Sequence, residues 1–99
     1  MIVFNRVASI QPGKTSAAVA FAKEIAAYMK ASYDVDLDVL MPIGGNPSRV
    51  GWSARYKDLA AMDAVQTRML ADAKYWEIVN KSSDLWLAGS LHDSIWRTL

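Results

Sequence analysis

The sequence predicts an α+β fold, a sandwich of an antiparallel sheet and helices in the order βαββαβ. Three observations predict it. A β-type run opens the chain, an alanine-rich helical stretch follows, and two further β-type runs are joined by a short Gly-Pro loop. A second helical stretch and a Trp-rich terminal run then repeat the βαβ plan in the remaining half.

The first run, Ile2 to Ile10, places Ile2, Phe4, Ala8 and Ile10 on one face and Val3 and Val7 on the other. Apolar residues on both faces mark a central strand. Gln11-Pro12-Gly13 stops it, and Thr15 or Ser16 is the expected cap of the next element. From Ser16 to about Tyr33, Ala18, Phe21, Ala22, Ile25 and Met29 recur at helical spacing, and the alanines permit close approach to a sheet. Two alternating runs, 35–41 and 50–56, flank Pro42 and Pro47 and read as a hairpin. Pairing Met41 with Val50 sets Val39 opposite Trp52, Leu37 opposite Ala54 and Asp36 opposite Arg55, which matches apolar and charged partners in one register. Asp58 is the expected N-cap of a second helix with the stripe Leu59, Met62, Val65, Gln66, Met69, Ala73 and Trp76, ending near Asn80 with a possible break near Ala73. Leu85, Leu87, Leu91 and Ile95 then alternate with Trp86, Ser90, His92, Ser94 and Trp96 in a final strand that Gly89 can bend. The whole is the split βαβ, ferredoxin-like plan, and residues 1–99 are expected to form one domain.

Composition narrows the function. The chain is 53% hydrophobic and 21% charged, more apolar than one-sided burial in so small a body requires, which points to a subunit interface. The 11 basic and 10 acidic residues are interspersed, so no basic stripe exists to engage a phosphate backbone, and no nucleic-acid partner is expected. The absence of cysteine excludes disulfides, thiolate nucleophiles and zinc knuckles. The opening twelve residues carry neither a charged leader nor a long apolar segment, so no membrane association and a cytoplasmic location are expected.

Several motifs reduce to local structure. Pro12-Gly13-Lys14-Thr15 imitates the end of a phosphate-binding loop, but Ala8 stands where that loop needs its first glycine. Asp34, Asp36 and Asp38 fall on one face of the second strand and offer carboxylates to a hard cation; pairing of Asp36 with Arg55 is the simpler reading. His92 is the only histidine, so a multi-histidine metal site is excluded. Asp93 points away from His92 on a strand, which excludes a convergent triad. The aromatic residues are more suggestive. Trp52, Tyr56, Tyr75, Trp76, Trp86 and Trp96 suit flat ligands as well as cores and interfaces. Asn5 and Arg6 interrupt the first strand with polar groups that a ligand or a cross-strand partner would have to satisfy.

The opening Ile2-Val3-Phe4-Asn5-Arg6-Val7, the following Pro12-Gly13-Lys14 and the runs Tyr75-Trp76 and Gly89 to Trp96, taken with the order of elements, resemble the dimeric α/β-barrel superfamily. Its members include antibiotic biosynthesis monooxygenases, haem-degrading monooxygenases and NIPSNAP-like proteins. The resemblance implies a homodimer whose two sheets close into a barrel, with a pocket in each subunit between sheet and helices. It also implies a site in which Asn5, Arg55 and Trp76 are the catalytic candidates and Arg6, Trp52, Tyr56 and His92 the ligand-binding ones. No cofactor or metal is expected. His92 lies sixteen positions after Trp76 on a strand, whereas the haem-degrading branch carries its iron-binding histidine on a helix soon after the tryptophan, so haem degradation is not implied. Two functional readings follow: a dimer that binds a small apolar or aromatic molecule, with cofactor-independent monooxygenase activity as its enzymatic form, or a non-catalytic dimeric ligand-sensing or interaction module.

Overall fold

Alternation in the first run is realised as strand β1 (Ile2–Ser9), which is central because both of its edges are paired. The computed structural model describes residues 1–99. Helix α1 (Thr15–Tyr33) follows, then β2 (Asp38–Leu40), β3 (Arg49–Tyr56), α2 (Leu59–Leu70), α3 (Ala73–Asn80), a 3₁₀ turn (Ser83–Leu85) and β4 (His92–Arg97). The four strands form one antiparallel sheet in the order β2-β3-β1-β4, the ferredoxin-like arrangement expected from the order of elements. No helix is long and apolar enough to cross a membrane.

The helices cover one sheet face. Ile2, Phe4, Ala8, Val50, Trp52 and Ala54 point into that layer and are buried, as their alternation requires. Ala18 and Ala22 of α1 are completely excluded from solvent, and their lack of bulk brings the helix backbone close to the sheet. So close is the approach that the Trp52 indole N–H donates to the Ala22 carbonyl at 3.3 Å. Ile25, Met29, Tyr75 and Ile78 complete this core.

The hairpin register is the expected one, with Val39 opposite Trp52, but β2 is only three residues long. Asp36 therefore lies before the ladder and does not meet Arg55. It pairs with Lys30 at 3.0 Å, as Asp34 does at 2.9 Å. Asp34 is not a strand residue at all: it ends α1 in the left-handed conformation at φ 54°, where its N–H bonds back to the Lys30 carbonyl. The three aspartates thus do not share a strand face, and no cluster of three acidic or histidine side chains is placed to hold a metal ion.

The expected cap of α1 is corrected, and the break expected near Ala73 is found. Helix α1 begins at Thr15 after the Gly13 turn (φ +80°), with Lys14 at the cap position and no side-chain cap, so neither Thr15 nor Ser16 has that role. The second helical stretch is two helices, because Asp72 caps a new one by accepting from the N–H groups of Lys74 and Tyr75. The Trp76 indole N–H then donates to the Leu70 carbonyl at 3.0 Å, satisfying an acceptor that the end of α2 leaves open.

The terminal run is not a continuous strand. Trp86 makes a single bridge to Ile10, a turn through Gly89 (φ +74°) follows, and regular pairing resumes only at His92. That turn changes which face the later residues occupy. Trp86, opposite Ile10, lies on the helix side, whereas Trp96, opposite Val3, lies on the open side. A continuous strand would have put both indoles on one face.

Candidate functional site

The helices cover the sheet unevenly. All six residues of β4 are exposed, including Ile95, which faces the helix side beside Phe4 yet remains 52% accessible. Between this uncovered flank and the helices the structure holds a cavity of about 460 Å³, within the size range of small-molecule sites.

Each wall comes from a different element. The sheet supplies Phe4, Arg6, Trp52 and Tyr56; α1 supplies Phe21 and Ile25; α2 and α3 supply Met69, Tyr75, Trp76 and Val79; the segment after α3 supplies Trp86 and Leu91. Of the 24 lining residues 16 are hydrophobic, so a ligand here is held chiefly by apolar contact. Trp86 sits between Phe21 and Trp52 with edge-to-face geometry, at ring distances of 5.9 and 5.8 Å. The three indoles of the cavity present carbon edges and faces, because their N–H groups are engaged within the protein. Trp52 donates to Ala22, Trp76 to Leu70 and Trp86 to the Ser82 hydroxyl.

One ionic group interrupts the apolar lining. Arg6 and Asp93 are direct cross-strand partners of β1 and β4, and the guanidinium donates through Nε to Oδ1 at 2.7 Å and through Nη2 to Oδ2 at 2.9 Å. This forked pairing, with a contribution from Tyr75, raises the Arg6 pKa above its ordinary value against the opposing effect of burial. Burial raises the Tyr56 phenol, and the positive charge of Arg6 works against that rise. Tyr56 and Tyr75 line the same cavity as Arg6.

Of the candidates read from the sequence, Arg6, Trp52, Tyr56 and Trp76 line this cavity. Asn5, Arg55 and His92 do not. Asn5 alternates with Arg6 and points to the open sheet face, as do Arg55, opposite Val3, and His92, opposite Val7. Arg55 there reaches the Met1 sulfur at 3.6 Å, and His92 is exposed. The open face combines these polar groups with Val3, Val7, Leu40 and a 63% exposed Trp96.

Sequence reasoning did not single out Asp93 as a site residue. The signal was present as an opposite charge for Arg6, but the register of β4 past the Gly89 turn was needed to use it.

A second polar cluster lies at the far end of α1. Tyr28 and Tyr33 both donate their hydroxyls to Asp72 Oδ2, and Arg68 stacks over the Tyr33 ring at 4.8 Å. Loss of solvent around its phenol, reinforced by Asp72, pushes Tyr33 up to about 12, and the two hydroxyl donors lower Asp72. The cluster joins α1 to the α2–α3 corner, so it fixes one wall of the cavity without lining it.

No protein-family model matches the chain, and no curated protein matches it. Solved structures do. A NIPSNAP domain protein from Burkholderia xenovorans, uncharacterized by its own description, superposes with a TM-score of 0.84 at 16% identity, over 100% of this chain and 95% of that one. A NIPSNAP family protein from Agrobacterium tumefaciens gives 0.82 at 19% identity, over 99% of this chain and 85% of that one. A protein described as a "putative antibiotic biosynthesis monooxygenase" from Nitrosomonas europaea gives 0.75 at 21% identity, over 100% and 99%. The chain has the fold of NIPSNAP domain proteins and of antibiotic biosynthesis monooxygenase-like proteins.

Proposed function

We propose that two copies of this chain pair through their open sheet faces and that each binds a small, largely apolar or aromatic molecule in its helix-side cavity. The observation that carries the reading is the cavity itself, with its apolar walls and a single forked ion pair. Spent indole donors leave Arg6, the two tyrosines and the Gln66 and Asn80 amides as the groups that orient a ligand, by hydrogen bonding to one of its polar atoms. Exposed Trp96 and Leu40, on the two edge strands of the open face, support pairing of copies, since a large indole left in water gains by being covered.

Turnover in such a cavity would take the form of cofactor-independent oxygenation, in which Arg6 stabilises negative charge developing on a substrate oxygen. One feature favours the alternative of a non-catalytic ligand sensor. Asp93, the one carboxylate lining the cavity, has both oxygens engaged by Arg6 and is not free to act as a base.

The test is mass spectrometry of small molecules released from freshly purified protein, compared between wild type and a cavity-filling Val79→Trp variant. A defined apolar molecule released by the wild type and missing from the variant is the expected result. Equal release from both would place the ligand elsewhere and defeat the reading.

A further inference from the structure

The cavity is built to be electrically neutral. Arg6 and Asp93 are the only charged residues in its lining, and they cancel. Their pairing is set by the sheet register and not by a chance meeting of surface side chains, since the two residues are opposite one another on adjacent strands. Both oxygens of Asp93 are occupied by the fork, which leaves Nη1 of Arg6 as the part of the guanidinium not engaged by the carboxylate.

A ligand that approaches Arg6 therefore approaches Asp93 as well. A carboxylate or sulfonate would have to displace Asp93 or lie beside it, where two like charges at contact distance repel. A neutral molecule meets no such barrier; a carbonyl or un-ionised hydroxyl oxygen can accept from the guanidinium while the ion pair stays closed. The Arg6 and Asp93 side chains are 31% and 39% exposed, so solvent weakens that repulsion without removing it.

We propose that Asp93 sets the charge selectivity of the cavity, holding Arg6 as a neutralised donor so that the site takes uncharged apolar molecules and rejects organic anions of the same shape. Asp93 is a positioning residue in this scheme, because it acts through Arg6. The inference rests on the cavity being the binding site proposed above.

The experiment uses two probes with one aromatic frame, neutral N-phenyl-1-naphthylamine and its anionic analogue 1-anilinonaphthalene-8-sulfonate. Binding is read by quenching of tryptophan emission in a Trp96→Phe background, where the remaining indoles, Trp52, Trp76 and Trp86, all line the cavity. The readout is the ratio of the two dissociation constants, anionic over neutral. Asp93→Asn is expected to lower that ratio by about tenfold or more, because the freed positive charge then attracts the sulfonate. Arg6→Gln, with Asp93 retained, is expected to raise it.

The double variant Arg6→Gln with Asp93→Asn is a neutral hydrogen-bonding pair that guards against misfolding of either single variant. Its ratio is expected to stay within about threefold of the parent, since it too carries no net charge. Neutral-probe binding with a ratio unmoved by both single variants would overturn the inference while leaving the cavity reading intact. Failure of the neutral probe to quench the parent protein at all would overturn the cavity reading, and the inference with it.

Discussion

The two faces of the sheet use the same strands for opposite purposes. On the helix side, even-numbered residues of β1 and β3 meet α1 and α2–α3, and Trp52 is 6% exposed with its indole N–H bonded to a helix carbonyl. On the other side, the odd-numbered residues of the same strands meet no helix, and Trp96 of β4 is 63% exposed. Both are tryptophans on paired strands, and the difference lies in what covers them. One face holds a cavity walled by apolar side chains and an ion pair, and the other is the surface through which we propose that a second copy docks.

If this contrast is right, equivalent truncations on the two faces should fail in different ways. Trp52→Ala should cost about 3 to 5 kcal/mol of folding stability, because it empties the centre of the core and breaks the contact with Trp86. Denaturant unfolding followed by circular dichroism checks this, and a loss below about 1 kcal/mol would mean that the helix layer does not depend on Trp52.

Trp96→Ala should leave that unfolding curve of the monomer nearly unchanged and instead weaken pairing by roughly 30-fold or more, as removal of an aromatic anchor does. Sedimentation equilibrium reads this directly. A variant still dimeric at low micromolar concentration would show that Trp96 is not at the interface.

The contrast sharpens at the α2–α3 corner. Asp72→Ala removes the cap of α3 and the acceptor for Tyr28 and Tyr33 together, so it should lower the melting temperature more than Asp58→Ala, which removes only the acceptor for Ala61. Equal shifts would show that the two phenols add nothing to the cap.

The pH dependence follows from the same cluster. Asp72 is lowered in the folded protein, so its contribution is present above the ordinary carboxylate range and fades as pH falls through its depressed value. Tyr33 is raised, so its contribution is complete below its unfolded value near 10 and is lost as pH climbs to about 12. Spectrophotometric titration should show one phenol ionising near 12, and Asp72→Ala should bring it down. A Tyr33 that titrates near 10 in the wild type would show that this cluster does not hold its hydroxyl.

The sequence carried the parts of this organisation that depend on local periodicity. Ile2, Phe4, Ala8 and Ile10 on one face of β1, the Val39–Trp52 register and the helical seam of α1 were all legible, because each follows from spacing within one segment. Breaks in that spacing were legible as places, near Ala73 and at Gly89, but their consequences were not. Asp72 divides one apolar stripe into two helices, and the Gly89 turn moves Trp96 to the face opposite Trp86. The site suffered for the same reason. Arg6 and Asn5 are neighbours of equal apparent promise in the sequence, yet alternation sends one into the cavity and the other to the open face. Asp93, three positions before Trp96, could be matched to Arg6 only once β4 was in register.

The central claim is that one face binds a small molecule and the other binds a copy, and native mass spectrometry in the presence of N-phenyl-1-naphthylamine tests both halves at once. The account predicts a species of two chains carrying two probe molecules, which loses both probes in Val79→Trp without losing the pairing and loses the pairing in Trp96→Ala without losing the probe. A monomer would contradict the pairing, and a dimer carrying one probe that Trp96→Ala removes would place the ligand between the open faces and contradict the cavity.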